Sequence, residues 1–301
     1  MHFVEKYKYF LAGVIGIVSL ASFVLFHHGF NLGLDFTGGC LLEFTAKDDN
    51  VAEKIIDKIG EISSSQRYIS NPKTGVYNIK VYTKDIREAQ NFVYQTREII
   101  VNSPGVKILR SDVLGQQFSK DILHKSMLSL GISLFSIYLY ILYKFGNRLA
   151  MGASLALILN CIVTLSVCAF FKMEINLMII SAILTIIGYC INDIVIVFDR
   201  IKQVAIQNRH SKMPQSEIVN LAIKLVLKRS IITSSVTSLA ICPLLFVSSQ
   251  EISNFTITVL FGIFIGTIAS IILSAIISGI GDIKIKLPRE KQNNDDPMRF
   301  V

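Results

Sequence analysis

Residues 177–198 read LMIISAILTIIGYCINDIVIVF, and this stretch decides the fold. It holds one charged side chain, Asp193, in a run long enough to cross a bilayer core of about 30 Å, which takes about 20 apolar residues of helix. A carboxylate at the centre of such a helix costs about 2.5–3.5 kcal/mol on insertion scales. The stretch therefore predicts a transmembrane helix whose Asp193 faces the interior of a helix bundle or water.

The whole chain shares this apolar character. Of its 301 residues, 51% are hydrophobic and 17% are charged, and the mean hydropathy is +0.53. Soluble chains carry about 25% charged residues, so the composition excludes a purely soluble protein. With 18 glycines and 6 prolines, the chain also lacks the composition of a disordered protein.

Six apolar runs predict six transmembrane helices. The predicted spans are 9–26, 126–143, 149–171, 177–198, 230–247 and 255–280. The first run follows Lys6 and Lys8, as a signal peptide would. Its apolar part of about 18 residues exceeds the 7–15 of a signal sequence, and no small-residue cleavage site precedes His27. We therefore predict an uncleaved first span.

The distribution of lysine and arginine predicts the orientation. With the N-terminus in the cytoplasm, the cytoplasmic segments hold 16 lysines and arginines, whereas the short outer loops 172–176 and 248–254 contain only Lys172. The net charge of +8 is therefore a topology signal that favours membrane lipid, not nucleic acid, as a partner. The predicted units are the cytoplasmic N-terminus with the first helix (1–26), an extracytoplasmic domain (27–125), a five-helix bundle (126–280) and a cytoplasmic tail (281–301).

The extracytoplasmic segment predicts a small α+β domain of ferredoxin-like type between the first two helices. Alternating apolar positions predict strands, and apolar positions three or four residues apart predict helices. The predicted order is strand, helix, strand, helix, strand, at 40–46, 51–62, 76–82, 85–101 and 106–113. The fold class is thus a polytopic α-helical membrane protein with one such outer domain.

The sequence contains no constellation of catalytic residues. Neither a nucleophile motif nor a phosphate-binding loop occurs, and the spacing of the five cysteines fits neither a disulfide framework nor a metal site. Asp193 and Asp199 lie on one predicted helix about 600° apart, so they cannot share a proton as an aspartyl protease requires. We therefore expect no enzyme activity, no cofactor and no metal.

Three motifs carry a resemblance to a known family. Residues 31–39 (NLGLDFTGG), 188–201 (GYCINDIVIVFDRI) and 228–234 (KRSIITS) resemble the SecD/SecF family, a branch of the resistance-nodulation-division superfamily, and within it SecF. One span, one modest outer domain and five further spans agree with that likeness. The first motif consists of the residues Gly33, Asp35, Phe36, Thr37, Gly38 and Gly39.

The resemblance implies a role in protein export. It implies an accessory subunit of the Sec translocon in the bacterial cytoplasmic (inner) membrane that uses the proton-motive force, together with SecD, to drive late steps of export. The implied partners are SecD, the SecY-E-G translocon and exported unfolded polypeptides, with SecA and YajC as further candidates.

The same resemblance points to candidate proton-relay residues. It implies that Asp193 and Arg229 carry the relay, with Arg229 as the charge partner; a structural carboxylate and a positive-inside anchor are the alternative interpretations. Asn160 stands where the family usually has an aspartate, so that position cannot carry a proton, although it can hydrogen-bond across helices. Ser181, Thr185, Gly188 and Asn192 predict a supporting polar stripe beside Asp193.

Other features favour structural roles. Asp199 and Arg200 predict a local ion pair at the cytoplasmic edge. Small residues at every fourth position in the third and sixth spans predict close helix packing. They are Gly152, Ala156, Asn160 and Thr164, and Gly262, Gly266, Ser270, Ser274 and Ser278.

Two other functions compete with an ion-driven machine. A scaffold subunit that only stabilises SecD and the translocon fits the amide at position 160. A half-size small-molecule exporter of the resistance-nodulation-division type is disfavoured, because such exporters usually carry two halves in one chain and no internal repeat occurs here. The loss of gradient-driven export on replacing Asp193 separates the first alternative from the favoured function.

Overall fold

A computed structural model describes most of the chain. The described residues are 7–46, 49–62, 66–71, 75–208, 213–247 and 249–279. The predicted cytoplasmic tail, 281–301, lies outside them, as do residues 1–6.

The larger part of the structure is a helix bundle. Its helices are α1 (Tyr7–His28), α5 (Gln116–Phe145), α6 (Asn147–Phe170), α7 (Leu177–Gln207), α8 (Gln215–Ile241), the short α9 (Leu244–Val247) and α10 (Gln250–Gly279). Among the described residues, α5, α6, α7, α8 with α9, and α10 are each long and apolar enough to cross a membrane. The first predicted span, 9–26, corresponds to α1, whose apolar part, Ala12–His27, is shorter and packs against α6.

Helix α5 begins earlier than the sequence predicts. The last strand of the outer domain ends at Leu114 and α5 starts at Gln116, so residues 116–125 continue the helix and do not belong to the domain. Gly115 separates the two elements, and the Ser119 hydroxyl donates a hydrogen bond of 3.3 Å to the Leu34 carbonyl. The apolar run alone could not reveal this polar first part of α5, because helix extends beyond the hydrophobic segment.

Helix α10 lies in the middle of the bundle, in contact with α6, α7 and α8. Its small residues face these neighbours and are buried. A Cβ atom added at Gly262 would overlap the side chain of Ile186, and one at Gly266 would overlap Cys190 and Asn160. The prediction of close helix packing through the small residues is therefore confirmed.

The αβ domain contains one four-stranded antiparallel sheet. Its elements are β1 (Gly39–Ala46), α3 (Asp49–Ile62), β2 (Gln66–Asn71), β3 (Val76–Val81), α4 (Ile86–Val101) and β4 (Val106–Leu114). The strand order is β2-β3-β1-β4, and both helices contribute to a core with the sheet that includes Leu42, Phe44, Ile59, Ile79 and Phe92. All five predicted elements are present.

Strand β2 was missing from the prediction. Its sequence, QRYISN, is mostly polar and gives no apolar alternation, because it forms an edge of the sheet. The other addition is α2 (Leu34–Thr37), a single turn inside the glycine motif.

We expect Gly266→Ala to destabilise the bundle by about 1–3 kcal/mol, because the added methyl overlaps neighbouring side chains. Gly131→Ala on α5 is the matched control, since nothing lies within 4 Å of its added Cβ. Thermal unfolding in detergent measures both variants. Equal unfolding temperatures would contradict the packing described for α10.

Candidate functional site

Asp193 lies at the contact of three membrane helices. It is on α7 with 1% of its surface exposed, and its Oδ1 atom accepts a hydrogen bond of 3.2 Å from the Ser230 hydroxyl on α8. Among the described residues, no group donates a hydrogen bond to the second oxygen, Oδ2. The Thr267 hydroxyl on α10 lies close enough to interact with the carboxyl, although it makes no hydrogen bond of good geometry with it.

Two further hydroxyls, those of Tyr189 and Ser234, continue the polar contacts that begin at this carboxyl. The Tyr189 hydroxyl donates a hydrogen bond of 3.1 Å to Ser234 Oγ, which lies 2.8 Å from Thr267 Oγ1. We call Tyr189, Ser230, Ser234 and Thr267 the hydroxyl cluster. The sequence analysis missed it, although Ser230 and Ser234 are four residues apart and hence on one face of α8.

Arg229 is not the direct partner of Asp193 in this arrangement. Its guanidinium is exposed and makes no ion pair or hydrogen bond within the described part of the chain. It lines a polar cleft between α7 and α8 with Asp199, Arg200 and Gln203. The next residue, Ser230, takes the place beside the carboxyl, because neighbouring helix positions point about 100° apart.

Asn160 contacts the same helix as Asp193. Its amide nitrogen lies 3.1 Å from Cys190 Sγ, one turn before Asp193 on α7, so it bridges α6 and α7. Its carbonyl oxygen is buried and has no hydrogen-bond partner among the described residues. Gly266 lies against both side chains, which allows α10 to approach at this level.

The polar stripe on α7 does not surround Asp193. Ser181, Thr185, Gly188 and Asn192 are exposed, whereas Asp193 is buried. The Ser181 and Thr185 hydroxyls donate hydrogen bonds of 2.9 Å and 2.8 Å to carbonyls of their own helix. The prediction was wrong because sequence proximity did not show which side of α7 faces the bundle.

Asp199 and Arg200 are not paired with each other. Asp199 forms an ion pair of 2.8 Å with Lys144 at the end of α5, and Arg200 donates a hydrogen bond of 2.8 Å to Gln203. The predicted local pair is therefore wrong, and Asp199 connects two helices.

The glycine motif joins the αβ domain to the start of α7. The Gly33 N–H donates a hydrogen bond of 2.9 Å to the Ile175 carbonyl, and the Ile175 N–H donates one of 2.7 Å to the Asn31 carbonyl. The Asp35 carboxylate accepts a hydrogen bond of 2.9 Å from the Leu177 N–H, the first amide of α7. A carboxylate at this end is stabilised by free amides and by the helix dipole.

The two adjacent glycines permit the turn from this motif into β1. Gly38 and Gly39 have φ angles of +80° and +136°, where side chains are strained. A Cβ at Gly39 would also overlap the Val81 carbonyl on the paired strand. Phe36 and Thr37 complete α2: Phe36 is buried in the core of the bundle, and the Thr37 hydroxyl donates a hydrogen bond of 3.1 Å to the Gly33 carbonyl.

A buried ion pair adds a second connection at this junction. Lys80 Nζ on β3 lies 2.6 Å from Glu174 Oε2 in the loop before α7, and their side chains are 8% and 10% exposed. The Tyr82 hydroxyl donates a hydrogen bond of 3.1 Å to the other Glu174 oxygen, and Glu251 on α10 lies 3.8 Å from Lys80. No sequence pattern signals this pair, because its members are 94 residues apart.

The described residues hold no cluster of side chains suited to a metal ion, and their cysteines are free thiols. Cys40 is buried in the core of the αβ domain, and burial raises the pKa of its thiol to about 11. At neutral pH this thiol carries little thiolate and is a poor nucleophile.

Comparisons with known proteins agree with this architecture. The family described as "Protein export membrane protein SecD/SecF, C-terminal" matches residues 96–280, and the "SecD/SecF GG Motif" matches residues 23–49. Protein translocase subunit SecF of Rhodothermus marinus is 30% identical over 90% of this chain and 89% of its own length. The SecF subunit of Escherichia coli O157:H7 is 28% identical over 95% and 88%.

Fused relatives are longer. Protein translocase subunit SecDF of Brucella abortus is 30% identical over 82% of this chain and 33% of its own. The crystal structure of the translocon-associated membrane protein SecDF from Thermus thermophilus superposes with a TM-score of 0.78 and 25% identity, covering 92% of this chain and 38% of that chain. From these two family matches, its bundle and these relatives, the chain belongs to the SecD/SecF family of protein-export membrane proteins.

Proposed function

We propose that this chain is a Sec translocon accessory subunit that works with SecD and uses the proton-motive force to drive late steps of protein export. The observation that carries the proposal is the Asp193 carboxyl, buried on a helix whose first residues are bonded to the αβ domain. We place the chain in the bacterial cytoplasmic (inner) membrane, with residues 27–125 outside the cytoplasm.

The surroundings of Asp193 favour a proton-dependent change of structure. An ionised carboxylate here would have one hydroxyl donor, Ser230, and would lack a donor for Oδ2 among the described residues. A buried charge with so few partners is costly, whereas the protonated acid is neutral. The arrangement described above therefore suits the protonated acid, and loss of the proton requires new partners for the carboxylate.

Arg229 can supply such a partner. It precedes Ser230 on α8, so a small rotation or shift of α8 would bring its guanidinium to the carboxylate in place of the serine hydroxyl. In this proposal the two residues alternate beside Asp193, and Arg229 takes part in the ionised arrangement only. Each proton that crosses a potential of 100 mV releases about 2.3 kcal/mol, which is enough to change the balance between two such arrangements.

Helix α7 connects the proton site to the αβ domain. Its first amide is capped by Asp35, and the loop before it holds Glu174, which pairs with Lys80 of the sheet. A movement of α7 at Asp193 would therefore be transmitted to the domain that would face exported, unfolded polypeptides. We also propose that the domain is of ferredoxin-like type, supported by its β-α-β-β-α-β order and its sheet order.

The exposed polar stripe of α7 supports SecD as the membrane partner. Polar side chains in a span rarely face lipid, and small or hydroxyl-bearing residues favour contact between helices. This chain spans 38% of the Thermus SecDF chain, so the fused protein has room for a second membrane half. We extend the partner proposal to the SecY-E-G translocon, SecA and YajC, and to surrounding lipid.

A scaffold that only stabilises SecD and the translocon is the second candidate. It is favoured by Asn160, an amide that cannot titrate and that bridges α6 and α7. A half-size small-molecule exporter has less support, because the only described helices and sheet form one bundle and one small domain.

We expect Asp193→Asn to abolish most of the stimulation of export by a proton gradient, because the amide keeps the size of the side chain but cannot carry a proton. ATP-driven translocation without a gradient should change little. The measurement is export into inverted membrane vesicles that hold equal amounts of wild-type or variant protein, with and without a gradient. Asn160→Ala serves as the control, since it removes a buried amide that cannot relay a proton.

Equal stimulation by the gradient in wild type and Asp193→Asn would refute the proton role. The scaffold function would then be preferred, with Asp193 as a structural residue.

The contact between the αβ domain and the loop before α7 provides a second test. Lys80→Met leaves Glu174 buried without its cation, which should cost roughly 3–5 kcal/mol of stability. Lys80→Met combined with Glu174→Gln removes both charges and should recover most of that loss, while gradient-stimulated export stays reduced because the link to α7 is weakened. Thermal unfolding and vesicle export measure the two effects separately.

Lys144→Met is the matched control for this test. It breaks the partly exposed pair with Asp199 and should change stability by less than about 1 kcal/mol. Full gradient stimulation in the stable double variant would show that the ion pair does not transmit movement.

A further inference from the structure

We propose that Tyr189, Ser234 and Thr267 form a hydroxyl chain that delivers protons to Asp193 from the end of the bundle next to the αβ domain. This inference rests on the proposed function, because it supplies the route to the carboxyl that would take up the proton. It assigns roles to three residues that had none in the sequence analysis: Tyr189 and Ser234 lie within the motifs that contain Asp193 and Arg229, and Thr267 lies outside them.

The chain runs in one direction along the bundle. Tyr189 precedes Asp193 by four residues on α7, which puts it one turn nearer the αβ domain. Helix α8 runs the opposite way, so Ser234, four residues after Ser230, is also one turn nearer that domain. Thr267 on α10 lies between Ser234 and the carboxyl.

Burial increases along the same path. Tyr189 and Ser234 are half-buried, Thr267 is 5% exposed and Asp193 is 1% exposed. Towards the αβ domain, the ring of Tyr189 packs against an apolar cluster that includes Ala182, Val259 and Ile263. The hydroxyls therefore form a polar path from the half-buried Tyr189 to the buried carboxyl of Asp193.

The carboxyl has one oxygen available for the chain. Ser230 donates to Oδ1, while Oδ2 has no hydrogen-bond partner among the described residues. Thr267 lies beside this carboxyl, so a small rotation of its side chain would aim the hydroxyl at Oδ2. The Oδ2 atom is the natural acceptor of the delivered proton.

Each transfer conserves protons. When Asp193 is ionised, Thr267 gives its hydroxyl proton to Oδ2 and receives one from Ser234, which receives one from Tyr189. A water-borne proton from the outer side restores Tyr189. One proton has then moved onto Asp193, each hydroxyl is again neutral, and rotation of the hydroxyls resets the chain.

Ser234 can open or close this chain. Its oxygen lies 2.8 Å from Thr267 Oγ1 and also 2.8 Å from the Ser230 carbonyl of its own helix. A serine hydroxyl has one proton to donate, so it serves one acceptor at a time. The chain conducts inward when that proton points to Thr267 and is interrupted when it points to the carbonyl.

The groups that act on Asp193 electrostatically are few. On α7 the nearby titratable groups are the Cys190 thiol and the Tyr189 hydroxyl of the chain itself, and on α8 the nearby group is the Arg229 guanidinium. The neighbouring side chains from α6 and α10, Asn160 and Thr267, are uncharged. A change in the response to pH on altering the hydroxyls would therefore reflect delivery of protons and not a change in nearby charge.

The test removes single hydroxyl groups. Tyr189→Phe and Ser234→Ala should lower gradient-stimulated export at neutral outer pH to about a tenth of the wild-type value. A more acidic outer solution should restore part of it, since a higher proton concentration compensates for slower delivery. Ser234→Thr keeps the hydroxyl and should behave like wild type. Export with ATP alone should be unchanged in all variants.

Tyr138→Phe is the matched control, because the Tyr138 hydroxyl bonds Asn147 on another face of the bundle, 2.9 Å away. If Tyr189→Phe and Ser234→Ala keep wild-type stimulation at every outer pH while Asp193→Asn loses it, the hydroxyl chain is wrong and the proposed function stands. Full stimulation in Asp193→Asn would overturn both. A loss in Ser234→Thr equal to that in Ser234→Ala would show that packing, not the hydroxyl, matters.

Discussion

The Asp193 carboxyl is buried between α7, α8 and α10 with a single serine hydroxyl donating to it. In a low-dielectric interior, this arrangement suits a neutral acid, and an ionised one demands either water or a cation. The polar groups around Asp193 lie where they can meet the needs of either form of the carboxyl. The hydroxyls of Ser234 and Thr267 lie on one side of it, and the cleft that holds Arg229 lies on the other. Small residues on α10 let the helices pack closely around Asp193, so the bundle has little free space to accommodate a change in the charge of this carboxyl.

The same helix that carries Asp193 is attached firmly at its first turn. Asp35, Gly33 and Glu174 connect the start of α7 and its preceding loop to the αβ domain through hydrogen bonds and a buried ion pair. Breaking such a pair leaves a buried charge, so the junction strongly favours movement of α7 and the domain as one unit. A local change at one carboxyl thus has a mechanical route to a surface outside the membrane.

The sequence predicted those features that depend on hydrophobicity and its period. It placed the membrane helices, the position of Asp193 in a helix interior and five elements of the αβ domain. It failed where the outcome depends on which side of a helix faces its neighbours. Arg229 and Ser230 are adjacent, and only the packing of α8 decides which one meets the carboxyl. The polar stripe that ends at Asn192 lies next to Asp193 in sequence but on an exposed face.

Long-range pairs were beyond prediction for a different reason. Lys80 and Glu174 lie in separate parts of the chain, and neither stands in a distinctive motif. Strand β2 escaped because an edge strand can be polar. The glycine motif, by contrast, was recognised from its residues, although its role in capping α7 through Asp35 became clear only from the fold.

The central claim is that a proton on Asp193 controls the position of α7 and, through it, of the αβ domain. Spin labels at Lys58 on α3 and Arg148 at the start of α6, both exposed, would report the distance between the domain and the rest of the bundle in membrane vesicles. The account predicts two distance populations in the wild type whose proportions change with pH, and one fixed population in Asp193→Asn. The same pH-dependent change in wild type and Asp193→Asn, or no change in either, would contradict it.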